Sequence, residues 1–135
     1  MIGADLAIMT KERPAQQVAE VGYVIGDVRG KTAVILDDII DTAGTLIAAG
    51  QTVLDEGADR VYAACTHPVF SGPAYERLAD APFEQVVVTD TIPLREGAPD
   101  NVVVLSCASL LAHTIRQIFT DGSVSAVFGG ENQLF

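Results

Sequence analysis

Basic residues are scarce in this chain: 8 Lys and Arg stand against 18 Asp and Glu, a formal net charge of -10. Duplex binding depends on neutralising phosphates with basic surface, so nucleic acid is excluded as the main partner. An anionic ligand has to be met by backbone amides or metal ions. Cysteine is equally sparse. Cys65 and Cys107 lie in separate apolar segments and form no C-x-x-C pair, which supports neither a zinc site nor a redox motif and leaves two reduced core thiols. No apolar run reaches the length of a membrane span, and the N-terminus, MIGADLAIMTKERP, has no basic region ahead of its short apolar stretch. A cytoplasmic protein with no membrane partner is expected. Internal repeats and low-complexity segments are also missing.

What is present is ordinary globular composition, 49% hydrophobic and 19% charged. The 135 residues suit a single domain over 1–135 with one core, burying about two-thirds of the surface the unfolded chain exposes. The chain is organised around residues 34–45, VILDDIIDTAGT. An apolar run, Val34, Ile35 and Leu36, is expected to be buried as the end of a strand. It stops at Asp37 and Asp38, at the carboxyl end where open α/β sheets place their ligands. Thr42, Ala43, Gly44 and Thr45 then bring backbone N–H groups and two hydroxyls round a helix N-terminus, a phosphate cradle.

In chain order, residues 4–9 read as a strand, and residues 10–20 as a polar, exposed and mobile excursion interrupted by Pro14. Lys11 and Arg13, one position apart, point to the same side of an extended segment. Residues 21–28 and 31–36 flank a turn at Arg29 and Gly30 and predict a hairpin into the central strand. The run GDVRGKT is not a Walker A, which needs four residues between its glycines and must follow a strand, so Lys31 is read as a surface lysine. Positions 46, 49, 50, 53 and 54 share one face of a helix over 44–56 that Gly57 ends. Strands are expected over 60–65, 84–89 and 102–105, with a helix over 73–79. A last helix over 108–119 is expected to bury Leu111, Ile115, Ile118 and Phe119. The tail from 121 is expected to lie over the surface or against another subunit. Alternating strands and helices predict the α/β class, a mainly parallel twisted sheet flanked by helices.

Two adjacent carboxylates can be no more than an exposed turn. Here a third, Asp41, follows in the same loop, and carboxylates beside phosphate-binding amides repel the ligand unless they hold ribose hydroxyls or Mg²⁺. A sugar phosphate with a metal satisfies both halves. His67, at a strand end, is read as a structural hydrogen-bonding group, and His113 as a surface or interface residue.

The stretch VILDDIIDTAGT resembles the ribose-5-phosphate loop of type I phosphoribosyltransferase folds, and specifically that of the ribose-phosphate diphosphokinase (PRPP synthetase) family. Three further segments resemble that family in its order: Lys11-Glu12-Arg13-Pro14 its K-x-R-P catalytic loop, Thr66 to Gly72 its T-H-P-x-F-S-G turn, and Thr89-Asp90-Thr91-Ile92-Pro93 its D-T-I-P. The resemblance implies Mg²⁺-dependent transfer of the diphosphoryl group of ATP to the 1-hydroxyl of ribose 5-phosphate, giving PRPP and AMP. By that likeness Asp41, Thr42, Ala43, Gly44 and Thr45 hold the 5-phosphate, while Asp37 and Asp38 engage the ribose hydroxyls and the metal. Lys11 and Arg13, on a mobile loop over about 10–20, close over the ATP phosphates. Ala43 stands where the family often has Gly.

Family members are roughly twice as long, with two similar domains. The chain thus resembles most of the C-terminal one, truncated at its N-terminus and lacking most of the ATP site. A homo-oligomer is implied. Two other readings remain at this point: a phosphoribosyltransferase that consumes PRPP, and a catalytically silent synthetase-associated fragment.

Overall fold

A computed structural model describes residues 3–15 and 18–128, and divides the chain into two compact units, Met1–Leu105 and Ser106–Phe135. The first opens on an antiparallel pair. β1 (Ile8–Ala15) and β2 (Val18–Ile25) register Ile8 against Ile25, Lys11 against Val21 and Glu12 against Glu20. The strand expected over 4–9 therefore starts only at Ile8, and the excursion expected over 10–20 contributes strand on both sides. Pairing across the hairpin overrides the polar local sequence. Thr10 illustrates it, its hydroxyl oxygen accepting from the Tyr23 N–H at 3.0 Å. Pro14 is tolerated because each strand of a two-stranded ribbon is an edge, and the register shifts in the interval that holds it, between Glu12 and Ala15.

β2 does not pair with the next strand, contrary to the expected hairpin over 21–36. The turn between them is tied elsewhere. Gly30, at φ 67°, donates its N–H to Gly57 O at 2.8 Å, and the Asp59 N–H donates to Lys31 O at 2.9 Å. These bonds lead the chain into β3 (Thr32–Ile40) alongside β4 (Arg60–Pro68), in parallel rather than back against β2. Lys31 is a surface residue, as read, with its Nζ 2.9 Å from Asp5 and 3.5 Å from Asp27.

A parallel four-stranded sheet follows in the order β3-β4-β5-β6, with β5 at Val86–Thr89 and β6 at Val102–Leu105. The helices α1 (Gly44–Asp55) and α2 (Ala74–Ala79) complete the α/β unit. α1 buries Leu46, Ala49, Gly50 and Val53, the face that the sequence spacing picked out, and Gly57 follows at φ 97°. Leu46 and Val53 meet Val61, Val86, Val88, Phe70 and Leu78 in one core. Ala33 and Ile35 of β3 pack against that core, so the alternate residues face away from it. Val34 is 59% exposed and Leu36 75%, which corrects the expected burial of that run. Its cause is a strand with one packed face and one open face, at the edge of its sheet.

In the second unit, α3 (Ala108–Phe119) has the expected bounds and is followed by a 3-10 helix, Val124–Phe128. Its stripe of Leu111, Ile115, Ile118 and Phe119 is exposed rather than buried. Periodicity identifies an amphipathic helix, but it does not supply the surface that covers the stripe. The tail beyond residue 128 lies outside the described residues. Among the described residues no helix is long and apolar enough to cross a membrane.

Candidate functional site

The parallel sheet delivers two neighbouring strand ends to one place. β3 runs on through Asp37 and Asp38 to Ile40, and its partner β4 runs to Pro68. The chain leaves β3 through Asp41 and Thr42 and enters α1 at Ala43, which is buried and left-handed at φ 63° and ψ -4°. No side chain of this N-cap residue bonds the first turn. The amides that open any α-helix lack intrahelical acceptors, so those at the start of α1 are left as donors beside this loop. A left-handed residue leading into a helix also gathers successive N–H groups into a nest for an anion.

A pocket of about 230 Å³ occupies this concavity, lined by Asp37, Ile39, Ile40 and residues 41–46. It brings together six of the seven residues read as the ribose-phosphate site: Asp37, Asp41, Thr42, Ala43, Gly44 and Thr45. Asp38 does not line it. Successive side chains of a strand point to opposite faces, and Asp37 is half-buried whereas Asp38 is exposed. The Asp37 carboxylate accepts the Asp38 N–H at 3.0 Å. A larger cleft of about 850 Å³ opens along the free edge of β3, between residues 3–7 and α1. It is mostly apolar, so the smaller polar pocket is the better candidate for an anion.

The T-H-P-x-F-S-G turn after β4 braces the loop. Phe70 N–H donates to Ile40 O and Ser71 N–H to Asp41 O, both at 3.1 Å, and the Ser71 hydroxyl donates to the Asp41 carboxylate. Phe70 is itself left-handed at φ 45°. Its carbonyl accepts from Arg95 Nη2 at 2.7 Å, and the Arg95 guanidinium lies 5.1 Å from the centre of the Tyr75 ring. His67 has the structural role expected of it: Nδ1 is 2.9 Å from Thr91 Oγ1, and the Thr89 and Thr91 hydroxyls both donate to Thr66 O. Beneath the site lies Cys65, paired in register with Asp37. Burial pushes its thiol pKa up, and the nearby Asp37 and Asp38 carboxylates push it further, against backbone hydrogen bonds involving Ile40 and His67.

Sequence reasoning quoted Ser71 within a motif but gave it no task, and it missed Arg77. Arg77 Nη1 donates to Thr42 O at 2.9 Å. Its partner is a backbone carbonyl distant in sequence, for which no residue pattern exists. Lys11 and Arg13 lie in β1, and their side chains fall outside the described residues.

Among the described residues no group of three His, Cys, Asp or Glu side chains is placed to hold an ion by itself. Mg²⁺ does not need such a cage, since it usually takes one or two carboxylates and completes its shell with water and substrate phosphates. Asp37, at the pocket wall, fits that role.

The profile of a family described as "Phosphoribosyl synthetase-associated domain" matches residues 6–129. The chain belongs to that family. Similar proteins include a ribose-phosphate pyrophosphokinase of Caldanaerobacter subterraneus subsp. tengcongensis, 52% identical over 94% of this chain and 40% of the relative. A ribose-phosphate pyrophosphokinase of Nostoc sp. is 54% identical over 93% of this chain and 38% of the relative. Among solved structures, phosphoribosylpyrophosphate synthetase from Mycobacterium smegmatis superposes with a TM-score of 0.69 at 46% identity, covering 73% of this chain and 34% of that one. The domain thus spans about two-fifths of the curated relatives' length, and its likeness is to enzymes that make PRPP.

Proposed function

We propose that residues 37–45 bind ribose 5-phosphate and that the chain supplies this half of a PRPP-forming site. The observation that carries the reading is the uncapped, left-handed entry to α1 opening on the same pocket as Asp37. Amides of residues 43–45 bind the phosphate, the Thr42 and Thr45 hydroxyls donate beside them, and Asp37 accepts from ribose hydroxyls. In the reaction the ribose 1-oxygen bonds to the β-phosphorus of ATP, the bond from that phosphorus to the α–β bridging oxygen breaks, and AMP leaves with that oxygen as the hydroxyl proton is released.

Such transfers depend on positioning and on charge stabilisation. Lys11 and Arg13, carried on the β1–β2 hairpin as the catalytic loop, supply cationic charge to the ATP phosphates. Asp37, with Asp38, would hold Mg²⁺ together with substrate oxygens, and the ion would supply neutralisation of phosphate charge. The remainder of the ATP contacts belongs to chain that the relatives have beyond the matched segment. A cytoplasmic homo-oligomer is part of the same reading.

Calorimetry of the chain with ribose 5-phosphate and Mg²⁺ tests it. Binding is expected, and Thr45→Val is expected to weaken it by about tenfold through the lost hydrogen bond to a charged group. Absence of heat with the wild-type chain removes the reading.

A further inference from the structure

A peptide unit is planar and trans, so its carbonyl and its N–H point in opposite directions. Whatever holds the Thr42 carbonyl therefore also aims the Ala43 N–H. Arg77, on α2, holds that carbonyl through Nη1 at 2.9 Å. The same nitrogen lies 3.4 Å from where a Cβ on Gly44 would stand, so the guanidinium packs against the first turn of α1. Ala43 is left-handed at φ 63°, a conformation that is strained for an L-residue and persists where surrounding contacts over-determine it. Ile40 O and Asp41 O are held by the amides of Phe70 and Ser71. Thr42 O is held by Arg77.

Charge adds a second reason. The pocket wall carries Asp37 and Asp41, and a phosphate monoester brought beside them needs compensation. A guanidinium does not lose its proton in a protein, so Arg77 supplies a permanent positive charge behind the loop.

We propose that Arg77 is the positioning residue of this phosphate cradle: by holding the Thr42 carbonyl on the α2 side it keeps Ala43 left-handed and aims the Ala43 N–H, with those of Gly44 and Thr45, at a phosphate monoester. This rests on reading residues 41–45 as a phosphate loop. Arg77 touches the loop and not the substrate, so its effect passes through the Thr42–Ala43 peptide.

Three variants of the full chain separate donor from charge. Arg77→Met keeps neither, Arg77→Gln keeps a donor, and Arg77→Lys keeps the charge with a single-point donor. In ligand-free ¹⁵N spectra, the Ala43 and Gly44 amide resonances are expected to move in Arg77→Met and to move less in Arg77→Lys. In calorimetry, Arg77→Met is expected to weaken ribose 5-phosphate by about tenfold, the loss of one charge-assisted hydrogen bond, with Arg77→Lys recovering part of it. Because Arg77 is exposed, melting temperatures are expected to stay close to wild type. If Arg77→Met does not fold, Arg77→Gln and Arg77→Lys carry the comparison.

Wild-type affinity in Arg77→Met overturns the positioning role and leaves the phosphate site standing. Absence of binding by the wild type, with ribose 5-phosphate and with inorganic phosphate alike, overturns the phosphate reading instead. In that case unmoved Ala43 and Gly44 amides in ligand-free Arg77→Met overturn Arg77's hold on the loop as well, and displaced amides support it.

Discussion

The hydroxyl of Ser71 donates to the carboxylate of Asp41 across 30 residues of sequence, and the Ser71 N–H donates to the carbonyl of the same residue. One residue of the turn after β4 thus holds both the backbone and the side chain of the residue that begins the β3–α1 loop. Both the carboxylate and the carbonyl of Asp41 therefore have partners within the fold.

Removing that hydroxyl tests the brace. In Ser71→Ala the backbone bond survives and the Asp41 carboxylate stays solvated, so stability is expected to fall by only about 0.5–1.5 kcal/mol, the usual net worth of a hydrogen bond. Affinity for ribose 5-phosphate is expected to fall severalfold as the loop loosens. Urea denaturation and calorimetry read the two effects. Full affinity at reduced stability confines Ser71 to the fold.

Gly50 faces Phe83 across the core. A Cβ at Gly50 would stand 2.7 Å from Phe83 Cε1 and 2.8 Å from Cζ, both on a buried ring. Gly50→Ala gains roughly 0.5–1 kcal/mol of helix preference but overpacks the core at a cost of about 1–3 kcal/mol. Net destabilisation is expected, seen as a melting temperature lowered by several degrees. An unchanged or raised melting temperature shows that the ring moves aside freely.

Cys65 gives a pH dependence. Its thiol pKa is raised in the folded state, first by burial and then by the carboxylates of Asp37 and Asp38. The folded chain therefore keeps this proton where the unfolded chain, titrating near about 8.5, has lost it. The stability linked to Cys65 is complete below that pH and declines as pH rises through the unfolded value toward the folded one. Urea midpoints between neutral and alkaline pH are expected to fall more steeply for wild type than for Cys65→Ala. Parallel curves contradict the linkage.

Asp37 and Asp38 are expected to differ. Asp37 lines the phosphate-loop pocket and Asp38 does not, so Asp37→Asn is expected to lower Mg²⁺-supported binding of ribose 5-phosphate by about tenfold, as for a hydrogen bond to a charged group. Asp38→Asn is expected to lower it less. Titrations with Mg²⁺ and with EDTA decide the order, and equal losses show that both carboxylates reach the ligand.

Lys11 is testable in a longer chain. Residues 1–135 can replace the matching part of the Caldanaerobacter relative, with which 52% identity gives a workable graft. Turnover of that chimera is expected to fall roughly 10³-fold in Lys11→Ala, as for other cations that stabilise transferring phosphoryl groups. The KM for ribose 5-phosphate is expected to change little. Unchanged turnover removes Lys11 from the mechanism.

What the sequence by itself determined is local and chemical. The run from Val34 to Gly57 specifies strand, loop, helix and stop through an apolar run, small residues and helical spacing, and α1 buries the face those spacings indicate. The bounds of β6 and α3 were legible for the same reason. Six of the seven residues read as the ribose-phosphate site line one pocket, because five of them are consecutive in the chain. Tertiary structure alone decided the rest. Pairing placed residues 8–15 and 18–25 in an antiparallel pair, and packing on one side only left Val34 and Leu36 open while Ala33 and Ile35 met the core. Strand alternation placed Asp37 on the pocket and Asp38 off it. Most of all, the carbonyl of Thr42 is held by Arg77 and the backbone of Asp41 by Ser71. Every residue has a backbone carbonyl and nearly every residue an N–H, so contacts made through them leave no mark in the sequence.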